Sequence, residues 1–239
     1  MTITFPGTPT SSAGSGPRTC NKPTGVVNGD ILLAFVAAEW DTYANIGAPA
    51  GWAVFNGVNA GTNVHNFKLF TKTAASEGSS YSFTAGGGAD IGVAIVALRG
   101  VAAVADWLFA GSTSPGLSAS RVAPSITGAG DLLLCAAVNE RAGGTYTPPS
   151  GMTEQVDAGS TYVDLTVASL VAPPNPTTAR TFTLSSAPSR GGPSLSVLIP
   201  AASDAVAYIY NGSAWVASGT PGIYDGDDWN DTPIVPVTP

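Results

Sequence analysis

The feature that most constrains this chain is an internal repeat of about a hundred residues. Gly29-Asp30-Ile31-Leu32-Leu33 returns as Gly130-Asp131-Leu132-Leu133-Leu134, and Glu39 at the end of the first run returns as Glu140 at the same offset of 101. Pro49-Ala50-Gly51-Trp52 is matched by Pro149-Ser150-Gly151-Met152 at an offset of 100. Tyr81-Ser82-Phe83-Thr84 faces Arg180-Thr181-Phe182-Thr183, and Gly92-Val93-Ala94-Ile95-Val96 faces Pro193-Ser194-Leu195-Ser196-Val197. Order and spacing persist together, so the two stretches are copies of one unit and should fold alike.

Each copy reads as short strands between turn clusters. In the first they are expected at 29–39, 52–58, 64–74, 80–85 and 91–99, and in the second at 122–127, 131–140, 152–157, 162–172, 180–186 and 194–199. Ile31 to Ala38 is apolar at every position, which marks a central strand covered on both faces. In 64–72, Asn66, Lys68 and Lys72 share one alternate face, expected to be wet, while Phe67, Leu69 and Thr71 share a partly dry one. The fold class is all-β: two tandem, jelly-roll-like β-sandwich units at 1–111 and 112–203, then an irregular tail at 204–239. The copies could form two separate sandwiches or one merged two-sheet body; two sandwiches packed together is the preferred arrangement. Trp107 and Phe109 are expected to close the bottom of the first.

Only 10% of the residues are Asp, Glu, Lys or Arg, against roughly a quarter in an average domain. Gly, Pro, Ser, Thr and Ala must therefore supply an uncharged exterior, which suits tight turns and close packing against neighbours. The net charge of −7 comes without any run of Lys or Arg, so no phosphate-gripping surface, and hence no nucleic-acid partner, is expected. No stretch approaches the roughly 20 apolar residues of a membrane-spanning helix, and the first residues lack the pattern of a signal peptide. Cys20 and Cys135 lack zinc-site spacing. Cys135, inside Leu132-Leu133-Leu134-Cys135-Ala136, reads as a buried small hydrophobe, and its pairing with Cys20 stays open.

The tail is a different object. Tyr-[Asn/Asp]-Gly-x-x-Trp occurs at Tyr210 to Trp215 and again at Tyr224 to Trp229, 14 residues on. Asn-Gly and Asp-Gly favour hairpin turns, so each unit reads as a tiny hairpin with Tyr and Trp facing across it. Such hairpins are marginal alone and need a surface to lie on. Asp225, Asp227, Asp228 and Asp231 lack the ligand register of a calcium loop and read as a solvated acidic turn.

Candidates for chemistry are sparse. His65 is the single histidine, and it falls in an expected strand, where an exposed or hydrogen-bonded ring is commoner than a catalytic base. Glu39 and Glu140 would suit glycoside hydrolysis as a carboxylate pair, yet positions related by duplication need not lie close together. Asp30 and Asp131, each after a glycine and before a strand, read as turn caps. Gly86-Gly87-Gly88 lacks the following Lys-Ser/Thr of a phosphate loop. No catalytic, cofactor or metal residues are assigned. The interface candidates are the aromatics Tyr208, Tyr210, Trp215, Tyr224 and Trp229 of the tail and Trp40, Tyr43 and Trp52 of the first copy, since such side chains anchor protein contacts and stack on sugars.

The motifs Gly29-Asp30-Ile31-Leu32-Leu33, Ala50-Gly51-Trp52, Phe70-Thr71-Lys72-Thr73-Ala74, Ser80-Tyr81-Ser82-Phe83 and Leu98-Arg99-Gly100-Val101 resemble a module of tailed-phage virion proteins, especially those of actinobacterial phages. The second copy, with Pro149-Ser150-Gly151-Met152-Thr153-Glu154, resembles it as well, over about 200 residues together. Tyr210-Asn211-Gly212-Ser213-Ala214-Trp215-Val216 is similar to short repeats near the C-termini of minor tail proteins. The resemblance implies a non-enzymatic virion structural protein, a minor tail component or a capsid decoration protein. Its partners would be other virion proteins and further copies of itself, as a trimer in the decoration case, with a host-surface glycan as a further partner. A carbohydrate-binding module using Trp40, Trp52, Trp215 or Trp229 is the alternative from another class.

Overall fold

A computed structural model describes residues 1–39, 42–61, 64–113, 116–140, 144–185 and 187–203, with the backbone of 207–210 and 215–218. The chain divides into Met1–Ala202 and Ser203–Pro239. In chain order the strands of the first unit are β1 (Thr10–Ser15), β2 (Arg18–Asn21), β3 (Ile31–Ala38), β4 (Ala53–Val58), β5 (Asn66–Thr73), β6 (Ser80–Phe83), β7 (Asp90–Leu98), β8 (Leu108–Ser112), β9 (Ser120–Ala123), β10 (Leu132–Asn139), β11 (Tyr146–Thr147), β12 (Thr153–Gly159), β13 (Asp164–Val171), β14 (Arg180–Leu184) and β15 (Ser194–Ile199). No helix among the described residues is long and apolar enough to cross a membrane.

The fold is all-β, built of sandwich units. Each repeat forms a five-stranded antiparallel sheet, β1-β7-β3-β5-β4 and β8-β15-β10-β13-β12, with matching strands in matching places. A small outer sheet covers one face of each, β2-β6 on the first and β9-β14-β11 on the second. The two large sheets pack against each other through their remaining faces, giving four layers. Each repeat keeps its own large and small sheet, and the largest apolar cluster lies between the repeats.

The two-sided apolar pattern of β3 explains its place. Leu33, Phe35 and Ala37 point into the shared core, while Leu32, Ala34, Val36 and Ala38 point under the outer sheet. In β10, Leu132, Leu134, Ala136 and Val138 face the shared core, and Leu133, Cys135 and Ala137 face the outer sheet. Both cysteines are free and buried, Cys20 beneath one outer sheet and Cys135 beneath the other. Burial pushes the Cys135 thiol up to about 12.

Contacts between the large sheets are reciprocal. Strand β1 lies against β12, and β4, the counterpart of β12, lies against β8, the counterpart of β1. This is the pattern of a pseudo-twofold relation in which one surface meets its own copy. Because the lateral order reverses while β3 and β10 end together, the axis runs along the strands between the sheets.

Three expectations need correction. The face of β5 carrying Asn66, Lys68 and Lys72 is not wet: the outer layer covers it, with Asn66 fully buried. Lys68 Nζ donates to the carbonyls of Ile46 (3.0 Å) and Tyr43 (3.3 Å), and Lys72 pairs with Glu77 at 3.0 Å. His65 lies just before β5 rather than within a strand. Phe109 belongs to β8, opposite Val197 in the second sheet, so β8 crosses the boundary expected at residue 111. Trp107 is buried in the shared core, its ring 5.7 Å from that of Phe55.

In Ser203–Pro239, β16 (Ala207–Tyr210) and β17 (Trp215–Ser218) form an antiparallel pair with Tyr210 opposite Trp215. The first tail hairpin is thus present, with Asn211 to Ala214 between its strands. The second, from Tyr224 to Trp229, and the acidic residues Asp225, Asp227, Asp228 and Asp231 lie outside the described residues.

Candidate functional site

The polar side chains that sequence alone scatters along the chain collect at one end of the shared core, where β3 and β10 finish. Their placement follows from the duplication. The Glu39 N–H donates to the Asp90 carbonyl (2.9 Å), and the Glu140 N–H donates to the Arg190 carbonyl (3.2 Å). The neighbour that is an aspartate in the first repeat is therefore an arginine in the second.

Arg190 Nε pairs with Glu140 Oε2 at 3.1 Å. Glu39 is 8% exposed, and burial, then the charges of Glu140 and Asp90, push its carboxyl up to about 7 against the opposing pull of Arg190. The two equivalent glutamates come within electrostatic reach of each other, which duplication alone does not require. A pseudo-axis running along the central strands brings their ends together.

Asp90, 5% exposed, joins the repeats. It follows the turn closed by the Ala89 N–H on the Gly86 carbonyl (3.2 Å). Gly87 and Gly88 hold φ of +65° and +76° there, a region that residues with a Cβ rarely enter. The glycine run therefore serves to aim Asp90. Its carboxylate accepts from Ser15 Oγ of its own repeat (2.5 Å) and from Ser160 Oγ of the other (2.9 Å). Ser160 also caps its own turn, receiving the Val163 N–H at 3.1 Å.

His65 is fully buried and makes a second contact between repeats, Nε2 to the Tyr162 carbonyl at 2.7 Å. A carbonyl only accepts, so Nε2 carries the proton of a neutral ring. Desolvation holds the imidazole down to about 4. The β12–β13 turn of the second repeat is thus clasped by Asp90 and His65 of the first.

Next to this cluster lies a buried network in the second repeat alone. Arg121 is opposite Phe182 in β9–β14 just as Arg18 is opposite Phe83 in β2–β6. Arg18 is half-buried and donates to Ser12 Oγ (3.2 Å). Arg121 is 0% exposed and donates to Asn139 Oδ1 (2.5 Å) and the Gly116 carbonyl (2.7 Å), while Asn139 Nδ2 donates to the Tyr146 hydroxyl. Desolvation raises the Tyr146 phenol well above its ordinary value. At the places of Asn139 and Tyr146, β3 and its neighbouring loop carry Ala38 and Ile46. Sequence reading missed Arg121, Asp90, Arg190 and Ser160, because pairing across sheets, which no local pattern carries, gives them their partners. The offset of the repeat was the one signal that could have drawn attention to the mismatched Asp90 and Arg190.

The other residues singled out lie elsewhere. Asp30 accepts the Val27 N–H (2.8 Å) as a turn cap and binds Arg99 through both carboxylate oxygens, at 2.7 and 2.9 Å. Asp131 accepts the Ala201 N–H at 2.8 Å. Trp52 packs edge-on against Tyr81 and Phe83, with centroids 5.1 and 5.4 Å away. Tyr43 lies beneath Lys68 Nζ, 4.8 Å from its ring centroid. Trp40, Tyr224 and Trp229 lie outside the described residues; Tyr208, Tyr210 and Trp215 are placed by backbone alone. Among the described residues no three His, Cys, Asp or Glu side chains converge to hold a metal ion. Comparison with known proteins gives no matching family, curated protein or solved structure.

Proposed function

We propose that this chain is a non-enzymatic structural protein of a tailed-phage virion, a minor tail component that binds neighbouring subunits. The observation that carries the reading is how the ionisable groups are used: Glu39, Asp90, His65 and Arg121 are buried, Asp90 and His65 holding one repeat to the other and Arg121 bracing the second, while Glu140 pairs with Arg190. What remains outward is a weakly charged β-surface, suited to packing against protein at little desolvation cost. The hairpin that sets Tyr210 opposite Trp215 supplies an aromatic element on the tail, a residue class enriched in interface anchors. Partners on this reading are virion subunits and further copies of the chain, and its place is the virion.

The test compares the full-length chain with one ending at Ser203, by solution mass and by binding to particles that lack the protein. Docking of full-length protein to tails, lost on truncation, is the expected result. Docking to tail-less shells as a trimer would replace the tail assignment by capsid decoration. Binding to isolated host glycans without docking, abolished by Trp215→Ala or Trp52→Ala, would replace it by a carbohydrate-binding module.

A further inference from the structure

We propose that β8 is a self-pairing edge: two copies of the chain join β8 to β8, antiparallel about Ala110, so that their second large sheets become one continuous sheet. The inference goes beyond the virion reading and holds wherever the pair of chains is placed.

An edge strand presents a row of unpaired N–H and C=O groups, and proteins blunt such edges with bulges and charges. The two large sheets end in β1, β4, β8 and β12. β4 is bulged between Val54 and Asn56; β12 is bulged between Glu154 and Val156 and carries Glu154 and Asp157. β1 is regular, but Thr10-Ser11-Ser12-Ala13-Gly14-Ser15 has no large side chain to close over a partner. β8, Leu108-Phe109-Ala110-Gly111-Ser112, has neither bulge nor charge, and among the described residues its ladder runs to β15 alone. Leu108 is 36% exposed, and Phe109 is half-buried at the rim of the shared core, its ring 6.4 Å from that of Phe55.

The order of residues in β8 selects a second copy as the occupant. Turned antiparallel on itself about Ala110, the strand sets Phe109 opposite Gly111, Leu108 opposite Ser112 and Ala110 opposite its own copy. Large meets small in each unlike pair, and an aromatic ring comes to cover the bare backbone of a glycine. The twofold axis of such a pair stands perpendicular to the sheet, so β4, which lies against β8, approaches its own copy beside the same axis. β4 carries no ionisable residue either, and Val54 in it is 55% exposed. Pairing through the opposite side, β1 over β12, would bring Glu154 and Asp157 up to their own copies, and like charges oppose that.

Sedimentation of the full-length chain over rising concentration tests the pairing. A dimer is expected, and a monomer throughout overturns the proposal. Two double variants test the register. Leu108→Lys with Ser112→Lys sets lysine opposite lysine at both ends and should weaken association on the order of ten-fold. Leu108→Lys with Ser112→Glu sets lysine opposite glutamate at the same places and should restore it. Equal association of the two, at unchanged circular dichroism, overturns the proposal. Hydrogen exchange of the wild type checks it without a variant: the β8 amides that turn away from β15 should gain protection as concentration rises. Unchanged exchange of those amides in a dimer overturns it as well. Docking to particles bears on the virion reading alone.

Discussion

Arg121 shows how far an individual residue can depart from what its type suggests. Arginine ordinarily reads as surface, and Arg18, its counterpart in the first repeat, is half-buried with one hydroxyl partner. Arg121 is enclosed because Asn139, Tyr146 and the Gly116 carbonyl give its guanidinium and one another hydrogen-bond partners. Removing it leaves Asn139 and Tyr146 short of a partner in a dry interior. Arg121→Ala is therefore expected to cost about 1–3 kcal/mol, and Arg18→Ala less than about 1 kcal/mol, measured as the shift of the urea midpoint at unchanged slope. Comparable losses from the two would mean that the network contributes nothing beyond what Arg18 does. None of this was legible in Ser120-Arg121-Val122-Ala123, where only alternation hinted at a strand. Beside the nearby Gly116 and Ser120 carbonyls, Arg121 relies on Asn139 and Tyr146, 18 and 25 residues later, which no local pattern announces.

Among the elements, the central strands were the most legible and the edge strands the least. β3 and β10 announce themselves because both of their faces are covered, so every position of β3, and every position of β10 before Asn139, is apolar. β1, Thr10-Ser11-Ser12-Ala13-Gly14-Ser15, has no apolar alternation and was missed. It is a strand because β7 offers it a free ladder, Thr10 opposite Ile95 through Ser15 opposite Asp90. β8 was likewise read as the close of the first repeat, since Trp107 and Phe109 could pack on either copy. The close fit of elements across the core is itself testable at Gly92 of β7. A Cβ there would lie 2.8 Å from Val163 Cγ1 and 3.4 Å from Leu165 Cβ, so the backbone of one repeat touches side chains of the other. Gly92→Val should destabilise by about 1–3 kcal/mol. Gly78→Val, at a site with open space, should stay within about 0.5 kcal/mol by the same denaturation assay.

For the body of 1–202, the shared core decides how the molecule unfolds. Leu33, Phe35, Phe67 and Leu69 of the first repeat are buried only because Leu134, Val138, Leu165 and Val197 of the second cover that side. Neither repeat retains a closed interior when the other melts. Calorimetry of the chain ending at Ser203 should therefore show one transition with equal calorimetric and van't Hoff enthalpies. Two resolved transitions would mean that the repeats are independent modules. The duplication was plain from sequence, and the all-β sandwich class with it. What sequence could not supply was the pairing of the copies, because an apolar face does not name its cover.

The pseudo-axis also has a bearing on descent. Two identical modules related by a true twofold would set like against like near the axis: two phenylalanines or two alanines in the core, two uncompensated acid pairs at the strand ends. Fusion into one chain frees each half to vary against the other. Phe35 has Ala136 at its equivalent place, and Asp90 has Arg190. A lineage that kept the modules as separate identical subunits would have had no such freedom, and every mutation near the axis would have struck twice.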